Sequence, residues 1–92
     1  MKKLQPIVKL KPITDFCLIA EFKNGEKRLY DMKSTLNEYK VFKELKDNKE
    51  LFDKAKICPL GYGVEWTDKI DLDSEDIYYD GKKITNEEYL TY

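Results

Sequence analysis

The stretch that decides the fold runs from Phe16 to Met32 and reads FCLIAEFKNGEKRLYDM. Its first seven residues carry apolar side chains on both faces of an extended chain, which predicts a strand inside a sheet rather than at its edge. Asn24-Gly25 follows, and this dipeptide between two strand-like runs is a strong hairpin signal because both residues tolerate positive φ. Residues 26–32 therefore form the return strand of a predicted hairpin.

Three further extended segments surround this hairpin. Residues 7–13 alternate loosely between apolar and polar side chains, and the prolines at their margins predict an edge strand or a bulge. Residues 56–59 and 64–66 are predicted to be the two strands of a second hairpin, because the turn sequence GYG at 61–63 separates them.

Helix starts are predicted from residues that can cap exposed backbone N–H groups. Residues 33–47 form either a short helix or an irregular crossover, and a clearer short helix is predicted near 48–55. Residues 71–76 are predicted to be a loop that enters one helical turn, and a last helical turn is predicted at the C-terminus. The capping residues are Thr35 with Glu38, Asp47 with Glu50, Asp73, and Thr85 with Glu88.

These elements predict one α+β domain that covers residues 1–92. The predicted architecture has two layers, a mostly antiparallel sheet of about five strands in the order β-β-β-α-β-β and one short helix packed on it. A short C-terminal helical turn completes it. A domain of this size buries about 60–65% of the surface of its unfolded chain, so its core is expected to be modest.

Composition argues against most catalytic machinery. The 92 residues are 41% apolar, 13% aromatic and 38% charged, with a formal net charge of −1. These values are typical of a folded domain rather than of a disordered or membrane-embedded chain. Histidine is absent, so neither the serines nor Cys17 and Cys58 have the usual base for a nucleophile. No glycine-rich phosphate loop occurs, and we expect a protein that is not an enzyme and uses no cofactor.

The sequence also predicts a cytoplasmic location. Lys2 and Lys3 give the chain a positive start, but Lys9 and Lys11 interrupt any apolar region that would complete a signal peptide. The longest apolar run, at 16–20, is far too short to span a membrane. The two cysteines favour buried free thiols in a reducing compartment over a disulfide scaffold.

The acidic stretch between residues 65 and 80 is the strongest candidate for a cation site. It holds seven acidic residues against the single Lys69. An EF-hand loop starting at Asp71 would need glycine where Asp76 stands and glutamate where Lys82 stands, so that match fails. Helix capping with a solvated acidic surface is the favoured interpretation, and adventitious Ca²⁺ or Mg²⁺ binding is the alternative.

Four residues are predicted to contact a ligand or partner: Tyr62, Trp66, Asp71 and Tyr78. Tyr62 stands between two glycines and is expected to be exposed. Trp66 either packs in the core, as a single tryptophan in a small domain usually does, or lines an aromatic groove with Tyr62. No catalytic or metal-ligating residue is predicted.

Several motifs, in their order and spacing, resemble the domain of unknown function 2442 family of small bacterial proteins. They are FKNGE at 22–26, YDM at 30–32, FKELKD at 42–47, VEW at 64–66 and DL at 71–72. The resemblance covers about residues 6–80 and implies a three-stranded portion, a helix and two more strands in two layers. It implies no catalytic residues. It also implies a link with the product of a neighbouring small gene, in a toxin–antitoxin-like pair.

Charge is divided between the two halves of the chain. Residues 1–46 hold 11 basic and 6 acidic groups, a net charge of +5, and residues 47–92 hold 6 basic and 12 acidic groups, a net charge of −6. This polarity favours a charged protein partner or head-to-tail self-association, and a homodimer through an exposed sheet edge is a further expectation. The near-zero total gives no reason to expect nucleic acid or a membrane as partner.

The favoured function is therefore a small binding module that works with a protein partner, with an antitoxin-like role as its sharper form. Binding of a small ligand in a groove near Tyr62 and Trp66 is the alternative.

Overall fold

The computed structural model describes residues 5–92, so Lys2 and Lys3, considered above as the start of a signal peptide, lie outside the described residues. Within this range the elements are β1 (Ile7–Ile13), β2 (Cys17–Phe22), β3 (Lys27–Asp31), α1 (Lys33–Glu38), α2 (Lys43–Asp47), α3 (Lys49–Phe52), β4 (Lys56–Ile57), β5 (Gly63–Thr67), β6 (Ile70–Asp73), α4 (Ser74–Asp80), β7 (Lys82–Ile84) and α5 (Asn86–Thr91). Single 3₁₀ turns occupy Thr14–Phe16, Lys40–Phe42 and Pro59–Gly61. None of the helices in this range is long and apolar enough to cross a membrane.

The first sheet is antiparallel, with the strand order β1-β2-β3-β7. β2 lies inside the sheet, as the apolar residues on both of its faces predict. β1 forms an edge, and Pro12 is tolerated there because an edge strand leaves one side of its backbone unpaired. Leu18, Ala20 and Phe22 of β2 are fully buried in the main core.

The predicted β2–β3 hairpin is confirmed, with a turn that differs from the expected one. Gly25 has a φ of 90°, and its N–H donates to the Phe22 carbonyl at 2.9 Å. Asn24 does not adopt positive φ, and its side-chain oxygen instead accepts from the Glu26 N–H at 3.0 Å. This is a three-residue loop with a glycine bulge, so only the glycine of the Asn-Gly pair uses its conformational freedom.

The two sheets share one core. The second sheet is antiparallel, in the order β4-β5-β6, and it contains the predicted second hairpin. Val64 and Trp66 of β5 are buried, and the Trp66 ring lies 6.1 Å from the Phe52 ring of α3. Trp66 Nε1 donates to the Phe52 carbonyl at 2.9 Å. The buried indole N–H of Trp66 therefore has a hydrogen-bond partner.

The α+β class with antiparallel pairing is confirmed, but the strands are divided between sheets of four and three instead of about five in one sheet. Residues 5–92 hold five short helices. The predicted architecture has one helix near 48–55 and a C-terminal turn, and the pattern also indicates a helix or a crossover at 33–47 and one helical turn after residues 71–76. Residues 71–76 are predicted to be a loop that enters a helical turn, and the helical part is confirmed by α4. Residues 71–73 instead belong to β6, which alternates buried and exposed side chains and pairs with β5. β7 carries two lysines and one apolar residue, which is too little pattern to predict a strand, and it forms by pairing with β3.

Two helix starts agree with the capping pattern, those of α4 after Asp73 and of α5 after Thr85, and two differ. Thr85 and Glu88 form the predicted capping box of α5, and each side chain accepts from the backbone N–H of the other at 3.1 Å. Thr35 caps no helix because α1 begins two residues before it. The cap of α3 is Asn48, whose side chain accepts from a backbone N–H at 3.2 Å, because Asp47 is the last residue of α2.

Candidate functional site

A cavity of about 410 Å³ opens between the α1 region and the corner where β6 meets α4. One wall consists of residues that precede, form or follow α1: Tyr30, Thr35, Glu38, Tyr39, Val41 and Phe42. The other wall consists of one leucine and four aspartates: Leu72, Asp71, Asp73, Asp76 and Asp80. Pockets that bind small molecules have volumes of about 300–1,000 Å³, so the cavity is large enough to hold a side chain or a small ligand.

The four aspartates gather because of the periods of a strand and a helix. Asp71 and Asp73 are two residues apart on β6, so both point away from the buried Leu72. Asp76 and Asp80 are four residues apart on α4 and share one face of that helix. Asp73 occupies the cap position of α4, as predicted, although its side chain makes no capping hydrogen bond.

The five carboxylates of this cavity, those of the four aspartates and Glu38, form no ion pair with any of residues 5–92. Burial raises the pKa of Asp76, and the charges of Asp73 and Asp80 raise it further. A raised carboxyl pKa means that the surroundings disfavour the charged form. A positive group placed in the cavity would remove this repulsion.

Tyr30 contributes a neutral polar group beside these charges. Its hydroxyl shares a hydrogen bond of 3.1 Å with Thr35 Oγ1. Burial raises the pKa of Tyr30, and the charges of Asp76 and Asp80 raise it further. The hydroxyl therefore stays protonated at neutral pH and serves as a hydrogen-bonding group rather than as a base.

The rim and floor of the cavity are apolar. Tyr39 and Val41 are 53% and 50% exposed. Phe42 is buried beneath them, with its ring 6.4 Å from that of Tyr39 and 6.3 Å from that of Trp66. The cavity thus combines an acidic wall with an exposed apolar rim.

The structure does not bring the four predicted binding residues together. Asp71 lines the cavity. Trp66 lies one layer below it, 6% exposed and in contact with the cavity through Phe42. Tyr62 is exposed, as expected, and Tyr78 is half-buried, but neither lines this cavity. The binding role of the four residues stays a prediction.

Tyr78 holds α4 against the β2–β3 hairpin. Its ring lies 4.9 Å from that of Phe22 and 4.8 Å from the Arg28 guanidinium. Its hydroxyl donates to the Glu26 carboxylate and accepts from Asn24 Nδ2 at 3.1 Å. The Tyr78 hydroxyl is the main cause that lowers the pKa of Glu26 to about 2. One side of α4 is therefore fixed to the sheet, and the other side presents its aspartates to the cavity.

Residues 5–92 assemble neither a metal centre nor a reactive thiol. No three carboxylate or thiol side chains in this range are grouped so that they could hold a metal ion. Cys17 and Cys58 are free, and burial raises the pKa of both thiols, with neighbouring carboxylates adding to the effect. A thiol with a raised pKa is a poor nucleophile. The arrangement at the cavity is suited to binding positive charge.

The sequence pattern indicates the aspartate wall of the cavity but not the opposite wall. The spacing 71, 73, 76 and 80 is the signal for all four aspartates, although only Asp71 is among the predicted residues. Glu38 and Tyr39 belong to the half of the chain with a net positive charge, and only the tertiary fold places them here. Lys83 also pairs with Glu26 at 3.4 Å across the two halves. This ion pair joins the basic and the acidic half within one chain, and head-to-tail self-association stays a prediction.

Comparison with known proteins gives one match. The family model described as Protein of unknown function (DUF2442) matches residues 7–83. No curated protein and no solved structure matches the chain significantly. The family match covers most of the 92 residues, so the chain belongs to that family. The match includes every residue of the cavity and ends before α5.

Proposed function

We propose that this member of the DUF2442 family is a small, non-enzymatic binding module whose acidic cavity takes a basic side chain from a protein partner. The observation that carries the proposal is the set of five carboxylates that line one cavity and form no ion pair within residues 5–92. Like charges held close together destabilise the free chain. A lysine or arginine of a partner would convert that repulsion into attraction on binding.

The exposed apolar rim supports a protein partner over an isolated cation. Tyr39 and Val41 would be covered by apolar side chains that flank the basic residue, and interfaces are enriched in tyrosine for this reason. A lysine also brings an apolar stem that can pack against Phe42 at the cavity floor. The expected recognition element is therefore a basic residue next to apolar ones.

The sharper form of the proposal is an antitoxin-like role, in which the partner is the product of a neighbouring small gene. It rests on the family resemblance rather than on geometry. A cytoplasmic location belongs to the same proposal, since Cys17 and Cys58 are free thiols.

A second candidate is a small-ligand-binding protein that takes an organic polycation. The volume of about 410 Å³ supports it, because pockets of that size hold small molecules. In this case Phe42 and Trp66 would report occupancy, since their rings lie 6.3 Å apart. The two candidates share one site and differ in the source of the positive charge.

One pair of variants tests both candidates. Asp76→Lys places a positive charge inside the cavity and removes the repulsion there, so the fold should be kept while binding is lost. Asp68→Lys makes the same change of charge at the tip of the β5–β6 hairpin, outside the cavity. Each variant is co-expressed with the product of the neighbouring gene and titrated with spermine, with Trp66 fluorescence as the second readout.

The proposal predicts that the wild-type chain and Asp68→Lys form the complex and that Asp76→Lys weakens it at least about tenfold. A saturable spermine response without any protein complex would favour the small-ligand candidate. Absence of both responses, or equal binding by the two variants, would overturn the assignment of the cavity.

A further inference from the structure

The four-stranded sheet has an outer face, on the side away from the main core. Cross-strand partners share a face, so the register places Lys11, Ile19, Leu29 and Lys82 in one row and Glu21, Lys27 and Ile84 in the next. Ile19 is 1% exposed and Ile84 is 6% exposed, although neither belongs to the main core. An element on the outer face therefore shields these two side chains from water.

The contacts of two lysines place α5 on this face. Lys27 Nζ donates to Asn86 Oδ1 at 2.7 Å and lies 5.3 Å from the centroid of the Tyr89 ring. Lys11 donates to the backbone oxygen of Tyr92. Lys27 belongs to β3 and Lys11 to the edge strand β1. The helix therefore crosses the sheet over the apolar strip formed by Ile19 and its cross-strand neighbours.

α5 has the properties of a ligand for this face rather than of a core element. None of its residues is buried, and Leu90 is 81% exposed. Glu87 and Glu88 make the helix acidic, whereas the two rows it covers carry Lys11, Lys27 and Lys82 against Glu21, which pairs with Lys27 at 3.7 Å. A capping box that involves Glu88 stabilises the helix through local contacts. The family match ends at residue 83, so α5 lies outside the part of the chain that the family model describes.

We propose that the outer face of the sheet is a docking face for an acidic amphipathic helix of a partner protein, and that α5 occupies it as a built-in competitor. The partner helix would repeat the chemistry of α5, with an aromatic residue against Lys27 and carboxylates near the flanking lysines. The face lies opposite the acidic cavity and has the opposite charge, so it is independent of the function proposed above. Binding would require α5 to leave.

The first test asks whether α5 covers the strip. Tyr89→Ala removes the ring next to Lys27, and Leu90→Ala is the matched control because its side chain points into solvent. In the full-length chain, Tyr89→Ala should move the isoleucine δ1-methyl NMR signals of Ile19 and Ile84, whereas Leu90→Ala should leave them in place. Unchanged Ile19 and Ile84 signals in Tyr89→Ala would overturn the proposal.

The second test asks whether the face binds such a helix from outside. The probe is an acetylated peptide with the sequence of residues 85–92, added to each full-length variant. If α5 is docked about 90% of the time, the wild-type chain should bind the peptide about tenfold more weakly than Tyr89→Ala does. Asn86→Ala changes an exposed residue and removes only the hydrogen bond from Lys27, so it provides a second opened variant with the fold intact.

Saturable shifts of Ile19 and Ile84 in the opened variants, lost again when Lys27→Ala is added, are the expected result. No shift at millimolar peptide, or shifts of the cavity residues instead, would contradict the proposal. Trp66 fluorescence should stay constant throughout. A failure here therefore leaves the acidic cavity untested by this experiment, and a failure of the cavity variants leaves this face unaffected.

Discussion

The hydroxyl of Tyr78 should make the stability of this protein depend on acid pH through Glu26. The Glu26 carboxylate accepts hydrogen bonds from Tyr78 and Asn24 and lies near two cations, and its pKa falls from 4.5 to about 2. Such a shift corresponds to at most about 3 kcal/mol of preference for the folded state, and solvent screening lowers it because the carboxylate lies close to the surface. The Tyr78 hydroxyl is the largest cause. We therefore expect Tyr78→Phe to cost about 1–2 kcal/mol at pH 7.

The pH dependence has a definite sign. Because the pKa of Glu26 is lower in the folded chain, its stabilisation is fully present above the unfolded pKa and is lost as pH falls through about 2. The difference between the wild type and Tyr78→Phe should therefore be constant from pH 7 to pH 5 and shrink to about half at pH 2.5. The phenylalanine ring keeps the contacts with Phe22 and Arg28, so the variant removes the hydroxyl alone.

Urea titrations at these pH values, followed by the fluorescence of the single buried Trp66, measure the difference directly. Tyr62→Phe is the matched control, because it removes a hydroxyl from a tyrosine that is 45% exposed, and it should change stability by less than about 0.5 kcal/mol at every pH. A difference of equal size at pH 7 and pH 2.5 would refute the role assigned to Glu26. A difference no larger than that of the control at pH 7 would refute the hydrogen bond itself.

Four further substitutions test the packing and the charge of the fold. Gly61→Ala should lower the free energy of unfolding by about 3 kcal/mol or more in thermal unfolding, because φ is +85° and the new Cβ would lie 2.8 Å from a backbone oxygen of β1. Gly25→Ala is its control and should lower the free energy by about 1 kcal/mol, because φ is +90° but the space around it is open. Trp66→Phe removes the Nε1 donor to the Phe52 carbonyl, which keeps its hydrogen bond from the Ala55 N–H, and it leaves a small cavity. Urea titration followed by circular dichroism should therefore show a loss of about 2 kcal/mol. Asp76→Asn should be more stable than the wild type by a few tenths of a kcal/mol at pH 7 and equally stable at pH 3. The reason is that a raised carboxyl pKa destabilises the folded chain only at a pH where the carboxylate is charged. A lower melting temperature of Asp76→Asn at pH 7 would contradict the charge repulsion assigned to Asp76.

The parts of the fold that sequence predicts correctly are those with a local cause. The β2–β3 hairpin follows from Asn24-Gly25 between two apolar runs, and the start of α5 follows from a capping box. No local sequence pattern predicts that the strands are divided between two sheets. β7 has three residues and forms by pairing with the free edge of β3. The residue pattern at 82–84 alone therefore does not predict a strand.

In the candidate site, too, only the part with a local sequence pattern is predictable. The acidic wall is visible in the sequence, because residues two apart on a strand and four apart on a helix share a face. β6 is not predicted, because Asp71 and Asp73 favour loops by propensity and only the buried Ile70 and Leu72 indicate a strand. The opposite wall comes from a segment distant in the chain, and its place beside the aspartates depends on packing that no local pattern encodes.

The near-zero net charge conceals opposite charges at two places in the fold, the aspartate wall of the cavity and the lysines on the outer face of the sheet. Tyr30 pairs with Leu18 on the inner face and lines the acidic cavity, while Lys27 and Lys11 point to the outer face beneath α5. Strand alternation places Tyr30 and the two lysines on opposite faces of the sheet, while the aspartates of the cavity come from β6 and α4. A partner that binds the cavity through a basic residue would therefore leave the lysine face free. Addition of salt should weaken both contacts, since each rests on charge attraction near the surface.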